Sequence, residues 1–151
     1  MANVKPVPDG YHTITPYLTL KGAAQAIEFY KKAFGAEEIM RMAGPGGAVM
    51  HAELRIGDSR LMLSEAIQDP PSTASLFLYV TDVDAAFQRA VAAGCTVSMP
   101  VADQFWGDRF GKLVDPFGIR WSMATHREDV PPAEMKQRAQ SAMEQMAKQK
   151  K

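Results

Sequence analysis

The amino-acid sequence predicts an α+β fold built from two copies of one unit, a strand, a helix and three further strands (βαβββ), followed by a C-terminal helix. Three observations carry this reading. First, an extended stretch, Thr15-Pro16-Tyr17-Leu18-Thr19-Leu20, runs into a helical pattern at Ala23, Ala26, Ile27, Tyr30 and Phe34. About sixty residues later Ser75-Leu76-Phe77-Leu78-Tyr79-Val80 runs into Val83, Ala86, Phe87, Ala90 and Val91. Second, each helical pattern meets a glycine, Gly35 or Gly94, the residue that most readily adopts the left-handed conformation ending a helix. Third, each half closes on a tight turn between strand-like residues, Gly57-Asp58 in one and Asp115-Pro116-Phe117-Gly118 in the other.

Taken in chain order, residues 1–10 hold two prolines and a glycine without periodicity and read as an N-terminal arm. The first module occupies residues 11–67. After its helix, Gly44-Pro45-Gly46-Gly47 marks a turn. From Val49 to Ile56, His51, Glu53 and Arg55 then alternate with Met50, Ala52, Leu54 and Ile56, the period of a half-buried strand. Arg60 to Ser64 is a further strand. Residues 68–74, with Pro70-Pro71, carry no element and link the halves. The second module occupies residues 75–126. Thr81 or Asp82 caps its helix, and Val97 to Val101 is an edge strand because Pro100 has no N–H to donate. Gln104 to Phe110 reads as a loop leading into Lys112-Leu113-Val114, a tight turn and Ile119 to Met123. Residues 127–151 form a helix and tail: Asp129 and Pro131-Pro132 announce a helix carrying Met135, Ala139, Ala142, Met143 and Met146 along one stripe. The stripe is expected to pack on its own domain and the tail from Gln145 to fray; the alternative is a helix that covers a partner.

Composition narrows the functional classes. Lys+Arg and Asp+Glu both number 17, so no net field draws nucleic acid or an anionic membrane surface. No apolar run approaches the length of a membrane span, and the start of the chain carries no signal-peptide pattern, so a cytoplasmic protein is expected. The single cysteine, Cys95, excludes an internal disulfide and has no basic sequence neighbour to activate it. The expected partners are a small molecule and a second copy of the chain.

The phrases Thr15-Pro16-Tyr17-Leu18, Ala26 through Ala36, Met50-His51-Ala52-Glu53-Leu54, Phe105-Trp106-Gly107-Asp108-Arg109 and Asp115-Pro116-Phe117-Gly118, set on paired βαβββ units, resemble the PhnB-like branch of the vicinal oxygen chelate superfamily. That superfamily includes glyoxalase I, bleomycin-resistance proteins and extradiol dioxygenases. The resemblance covers residues from about Tyr11 to His126 and implies curved, cup-shaped mixed sheets with flanking helices, and a homodimer. It does not by itself choose among isomerases, dioxygenases and binders.

In the metal-using members, ligands stand on the opening and closing strands of both modules. Aligning the helices places the first at Thr15, the third at Ser75 and the fourth at Ser122, with the second near Ser64 or one residue away at Leu63 or Glu65. Hydroxyls are weak ligands for divalent ions, which favour imidazole, carboxylate or thiolate. The resemblance therefore implies a cup without a metal or other cofactor. Strand parity assigns Tyr17, Phe77, Tyr79 and Arg120 to the same cup faces. Trp106, Asp108 and Arg109 are expected on a loop over the cup, with Trp106 stacking on a ligand and Arg109 gripping an anion, or with Asp108 and Arg109 pairing to pin the loop.

His51 and Glu53, two apart on a strand with Arg55 beside them, suit an acid/base pair, because imidazole titrates near neutrality. The competing reading is a cross-strand polar network. With His12 they would form a displaced metal site. His126 reads as a solvated strand end. The expectation is a protein that binds a small organic, anionic or aromatic molecule in a metal-free cup; the alternative is an isomerase or lyase using His51 and Glu53.

Overall fold

The computed structural model describes residues 4–150; Met1 to Asn3 of the arm and Lys151 lie outside the described residues. Two four-stranded mixed sheets form. The first comprises β1 (Tyr17–Leu20), β2 (Glu37–Ala43), β3 (Val49–Ile56) and β4 (Ser59–Glu65) in the order β1-β4-β3-β2. The second comprises β5 (Ser75–Tyr79), β6 (Thr96–Asp103), β7 (Asp108–Val114) and β8 (Arg120–His126) in the order β5-β8-β7-β6. In each, the opening strand runs parallel to the closing one and the other pairings are antiparallel. Helix α1 (Ala23–Phe34) follows β1, α2 (Val83–Ala93) follows β5, and α3 (Pro132–Gln149) ends the chain. Among the described residues no helix is long and apolar enough to cross a membrane.

The two modules use one device to start their helices. The position two residues beyond the last inward core side chain of the closing strand reaches back to the helix N-terminus. Glu65 accepts from the N–H groups of Gly22 and Ala23, both at 2.8 Å, placing a carboxylate on the positive end of α1. Its counterpart Thr125 accepts from Val83 N–H at 2.8 Å, and the expected cap Asp82 accepts from Ala85 N–H at 3.1 Å. Gly35, at φ 66°, ends α1, whose last carbonyls, on Lys31 and Lys32, accept from Arg89 of α2.

Strand alternation sorts the side chains. Leu18, Leu20, Ala52, Leu54, Leu61, Leu63, Leu113, Trp121 and Met123 are buried against the helices, in one core with Ala26, Ile27, Tyr30 and Phe87. Cys95 is buried in it, and burial pushes its thiol up to about 12, away from nucleophilic use. The modules meet through aromatic packing: Trp121 of β8 lies 4.3 Å from Phe34 and 5.5 Å from Tyr30, ring centre to ring centre.

Several expectations require correction. Strand β1 begins at Tyr17, leaving Thr15 outside it. Strand β2, Glu37 to Ala43, went unread because it is an edge strand, exposed along nearly its whole length, and a register shift between Glu38 and Met40 breaks its alternation. Asp108 and Arg109 open strand β7 instead of lying on a loop, and β8 runs on to His126. Helix α3 continues to Gln149 instead of fraying, and its stripe is only partly covered: no α3 residue is buried, Met135, Ala139 and Ala142 are half-buried, and Met143 and Met146 are 62% and 57% exposed. Arg138 holds its first half, bonding Glu128 and the carbonyl of Phe105.

At the centre Asp115, buried, accepts four hydrogen bonds: from Tyr30 Oη (2.8 Å), Trp121 Nε1 (2.9 Å), Phe117 N–H (2.8 Å) and Ile119 N–H (2.9 Å). We predict that Asp115→Ala destabilises the protein by about 3–5 kcal/mol in urea denaturation, since each buried donor left unpaired costs about 1–3 kcal/mol. Tyr30→Phe, which removes one donor and strands nothing, is expected to cost about 1 kcal/mol. Equal losses for the two would show that the carboxylate is not the common acceptor it appears in the geometry.

Candidate functional site

The faces turned away from the helices carry the polar and aromatic residues. On the first sheet the register aligns Tyr17, Met62, Glu53 and Met40 across β1, β4, β3 and β2, with His51 opposite Met42. The polar groups form a chain: Tyr17 Oη lies 3.2 Å from His51 Nδ1, His51 Nε2 lies 3.3 Å from Glu53 Oε1, and Tyr11 from the preceding segment donates to Glu53 Oε2. The bond from Tyr11, reinforced by His51, holds the Glu53 carboxyl below its ordinary range. Burial and that same carboxylate push the Tyr11 phenol up. Arg55, on the same face, is taken up by Glu37 and by the carbonyl of Gly57.

On the second sheet, Phe77, Ser122 and Lys112 form one row across β5, β8 and β7, and Tyr79, Ala124 and Phe110 form the next. Phe77 and Phe110 stack at 5.6 Å with 26° between planes, Phe77 and Tyr79 are 4.8 Å apart, and Trp106 meets Phe110 edge-on at 5.5 Å. Behind this wall Asp108, 4% exposed, accepts from Tyr79 Oη (3.2 Å) and Trp106 Nε1 (3.0 Å) and meets His126 Nδ1 at 2.7 Å. The turn bearing Trp106 is docked from behind, because Arg127 and Glu128 both donate their N–H to the Gly107 carbonyl. A Cβ at Gly107 would stand 2.2 Å from the Glu128 carbonyl oxygen, so only glycine fits.

Below the aromatics, Ser75, Ser98, Lys112, Arg120 and Ser122 line an open cavity of about 290 Å³. Neither Lys112 nor Arg120 has a carboxylate partner among the described residues. Lys112 Nζ sits 5.8 Å from the centre of the Phe110 ring. Thus one cup presents flat apolar walls, hydroxyls and two uncommitted cations.

The structure brings together Ser75, Phe77, Tyr79, Trp106, Asp108, Arg120 and Ser122, and separately Tyr17, Ser64, His51, Glu53 and Arg55. It does not bring Arg109 to the cup. That guanidinium points to the helix side, bonding Asp84 of α2 at 2.6 and 2.8 Å and Asp103 at 3.2 Å, so it neither grips a cup anion nor pairs with Asp108. Parity on β7 explains the difference, since Asp108 and Arg109 are successive strand residues and face opposite ways. Lys112, Phe110 and His126 were missed as site residues. Counting by twos from Ser122 along β8 reaches His126, and from Asp108 along β7 reaches Phe110 and Lys112, but this needs the strand boundaries.

The metal ligand places do not fit a divalent ion. Ser122 pairs with Phe77 and, in the corresponding pairing of the first sheet, Met62 pairs with Tyr17, so the second ligand place falls on Met62 and not on Ser64. Thr15 spends its hydroxyl on the carbonyl of His12 at 3.3 Å. Two serines, a threonine and a thioether offer no imidazole, carboxylate or thiolate. The displaced alternative does not assemble either: among the described residues no three His, Cys, Asp or Glu side chains form a metal-holding group.

His126 also bonds Asp129 at 2.9 Å, and Asp129 first and Asp108 second raise its pKa above the ordinary 6.5. A histidine with a raised folded pKa contributes stability in full below its unfolded value and loses it as pH rises through the folded one. We predict that the stability difference between wild type and His126→Gln, followed by thermal unfolding across pH, is largest below pH 6.5 and vanishes on the alkaline side. A difference that grew with pH would contradict this pairing.

The likeness to known proteins agrees with this fold. An uncharacterised protein of Mycobacterium tuberculosis is 44% identical over 122 residues, which is 73% of this chain and 72% of that protein. The PhnB protein of Bacillus cereus superposes with a TM-score of 0.63 at 22% identity, over 76% of this chain and 99% of that one. TnmS3, described as an antibiotic binding protein from Streptomyces sp. CB03234, superposes with a TM-score of 0.63 at 21% identity, over 82% and 99% of the two chains. A sequence model of the Glyoxalase/Bleomycin resistance protein/Dioxygenase superfamily matches residues 12–123, and this chain belongs to that superfamily.

Proposed function

We propose that this chain binds a small, flat, anionic organic molecule in the cup of the second sheet, without a metal. The observation that carries the proposal is the juxtaposition of the Phe77, Tyr79, Phe110 and Trp106 rings with the cavity of about 290 Å³ bearing Lys112 and Arg120. Phe77 and Tyr79 are 48% and 66% exposed, a cost in water that a stacked ligand removes. Asp108 fixes the wall, because it accepts from Tyr79 and Trp106 and sets both rings. The antibiotic-binding description of TnmS3, a protein of the same fold, supports a binder. We also propose a homodimer in the cytoplasm. Its support is the exposed apolar set of Ile14, Tyr17, Met143 and Met146, more than a monomer gains by leaving in water.

The enzymatic alternative is an isomerase or lyase with His51 and Glu53 as acid and base. Its supporting observation is their 3.3 Å contact. Against it, both carboxylate oxygens of Glu53 are already engaged and its pKa is lowered, which makes it a weak base at neutral pH.

A thermal-shift screen of aromatic and anionic metabolites identifies a ligand for measurement. We then predict that Trp106→Ala weakens its affinity by about 1–3 kcal/mol, whereas His51→Gln leaves it nearly unchanged. A turnover that His51→Gln lowers by about a hundredfold or more, at unchanged affinity, would favour the enzyme. For the dimer, sedimentation at micromolar concentration is expected to give twice the chain mass of 16.6 kDa; a monomer refutes it.

A further inference from the structure

If the cup of the second sheet holds an anionic molecule, as proposed above, the side chains around its cavity of about 290 Å³ say which anion. All four strands contribute: Ser75 from β5, Ser98 from β6, Lys112 from β7, and Arg120 and Ser122 from β8. The register sets four of these in two adjoining rows, Ser75 opposite Arg120 and Ser122 opposite Lys112. A two-residue step along β8 separates the rows by about 7 Å. Each of the five side chains carries a hydrogen-bond donor, and no aspartate or glutamate is among the lining residues. On other strands Arg41, Arg55 and Arg109 are each held by a carboxylate, of Glu38, Glu37 and Asp84. Lys112 and Arg120 are instead diagonal neighbours across β7 and β8, a spacing that long side chains span, and their charges repel until an anion lies between them.

This donor set discriminates among anions. A carboxylate brings one negative charge and two oxygens, so one of the two cations stays uncompensated. A sulfate ester has three terminal oxygens but again a single charge. A phosphate monoester brings a charge of about −1.5 to −2 at neutral pH on three strongly accepting oxygens. It answers two cations with two charges, and its oxygens can accept from Lys112, Arg120 and the serine hydroxyls together. The cavity lies at the lower end of the roughly 300–1,000 Å³ of ligand sites, room for such a headgroup. The organic part then falls to the ring wall, since Phe77 stands in the same row as Ser122 and Lys112. We propose that the cup selects a dianionic phosphoryl group carried on a flat organic body. Lys112 and Arg120 read its charge, Ser75, Ser98 and Ser122 donate to its oxygens, and Phe77 and Tyr79 carry the flat part.

The test compares phenyl phosphate, phenyl sulfate, benzoate and inorganic phosphate at about pH 8, where the phosphate ester is a dianion. Binding is followed in ¹H–¹⁵N spectra, with the Trp106 indole and the Ser122 and Lys112 amides reporting on the cup. Phenyl phosphate is expected to bind in the millimolar range or tighter, at least tenfold more tightly than phenyl sulfate or benzoate, and more tightly than inorganic phosphate, which lacks the ring. Lys112→Gln and Arg120→Gln change exposed side chains, so both proteins are expected to fold, and each is expected to remove most of the preference for phosphate over sulfate. Trp106→Ala is expected to weaken the three aryl anions alike and to leave that preference in place. Phenyl sulfate or benzoate binding as tightly as phenyl phosphate, or a preference that survives both charge substitutions, would overturn the phosphoryl assignment while the cup remains the binding site for an aromatic anion. Aryl anions that leave the Trp106 and Ser122 signals unmoved in the millimolar range would overturn both.

Discussion

The carboxylate of Asp115 is the constraint on which the rest of the molecule depends. It sits in the turn that closes the second module, yet one of its donors, Tyr30, belongs to the helix of the first. A buried charge is tolerable only when its lone pairs are filled, and four donors fill these. That requirement fixes the rotamer of Trp121, and Trp121 in turn packs on Phe34 and lines the module seam. Two units that could each fold as a small sheet with one helix are thereby locked in one relative placement. The price of this arrangement is sensitivity: among the described residues no other side chain accepts so many hydrogen bonds from both halves.

From that lock the functional faces follow. With the helices bound to one side of each sheet, alternation sends every second strand residue to the other side, where among the described residues no helix packs. On the second sheet the uncovered side receives aromatic rings, hydroxyls and two cations; on the first it receives a hydrogen-bonded chain of two tyrosines, a histidine and a glutamate. The halves are thus one architecture with two chemistries. Asp108 orients an aromatic surface, whereas both oxygens of Glu53 are engaged by its neighbours. The superfamily's metal places survive as positions in the register but hold hydroxyls and a thioether, so the same cup is better suited to organic than to inorganic recognition.

Much of this was legible in the sequence, and the failures have physical causes. The duplicated strand and helix patterns were readable because their core positions are apolar at strict spacing: Leu18 and Leu20 lead to Ala26, Ile27 and Tyr30, and Leu76 and Leu78 to Phe87 and Ala90. Strand β2 was hidden because an edge exposed on both sides keeps no alternation. Parity correctly grouped Phe77, Tyr79, Arg120 and Ser122, but the start of β7 was placed too late. That error left Arg109 on the wrong face and kept Phe110 and Lys112 out of view. Asp115 was read as a turn residue, which it is; that it also receives a hydrogen bond from a tyrosine 85 positions earlier in the chain is a tertiary fact without a local signal. Likewise the stripe on α3 has the period of a packing face, but period does not say what it packs against.

The central claim is that the hydroxyl-lined cup of the second sheet receives an organic molecule where metal-using relatives hold an ion. A crystal structure of the protein purified with its captured ligand, or soaked with one found by screening, tests this most directly when density and anomalous scattering are recorded together. The account predicts planar organic density against Phe77, Tyr79 and Trp106, with an anionic group toward Lys112 and Arg120 and no anomalous peak between Ser75 and Ser122. An anomalous peak of a transition metal coordinated there, or a ligand seated on the first sheet against His51 with the aromatic wall empty, would contradict it.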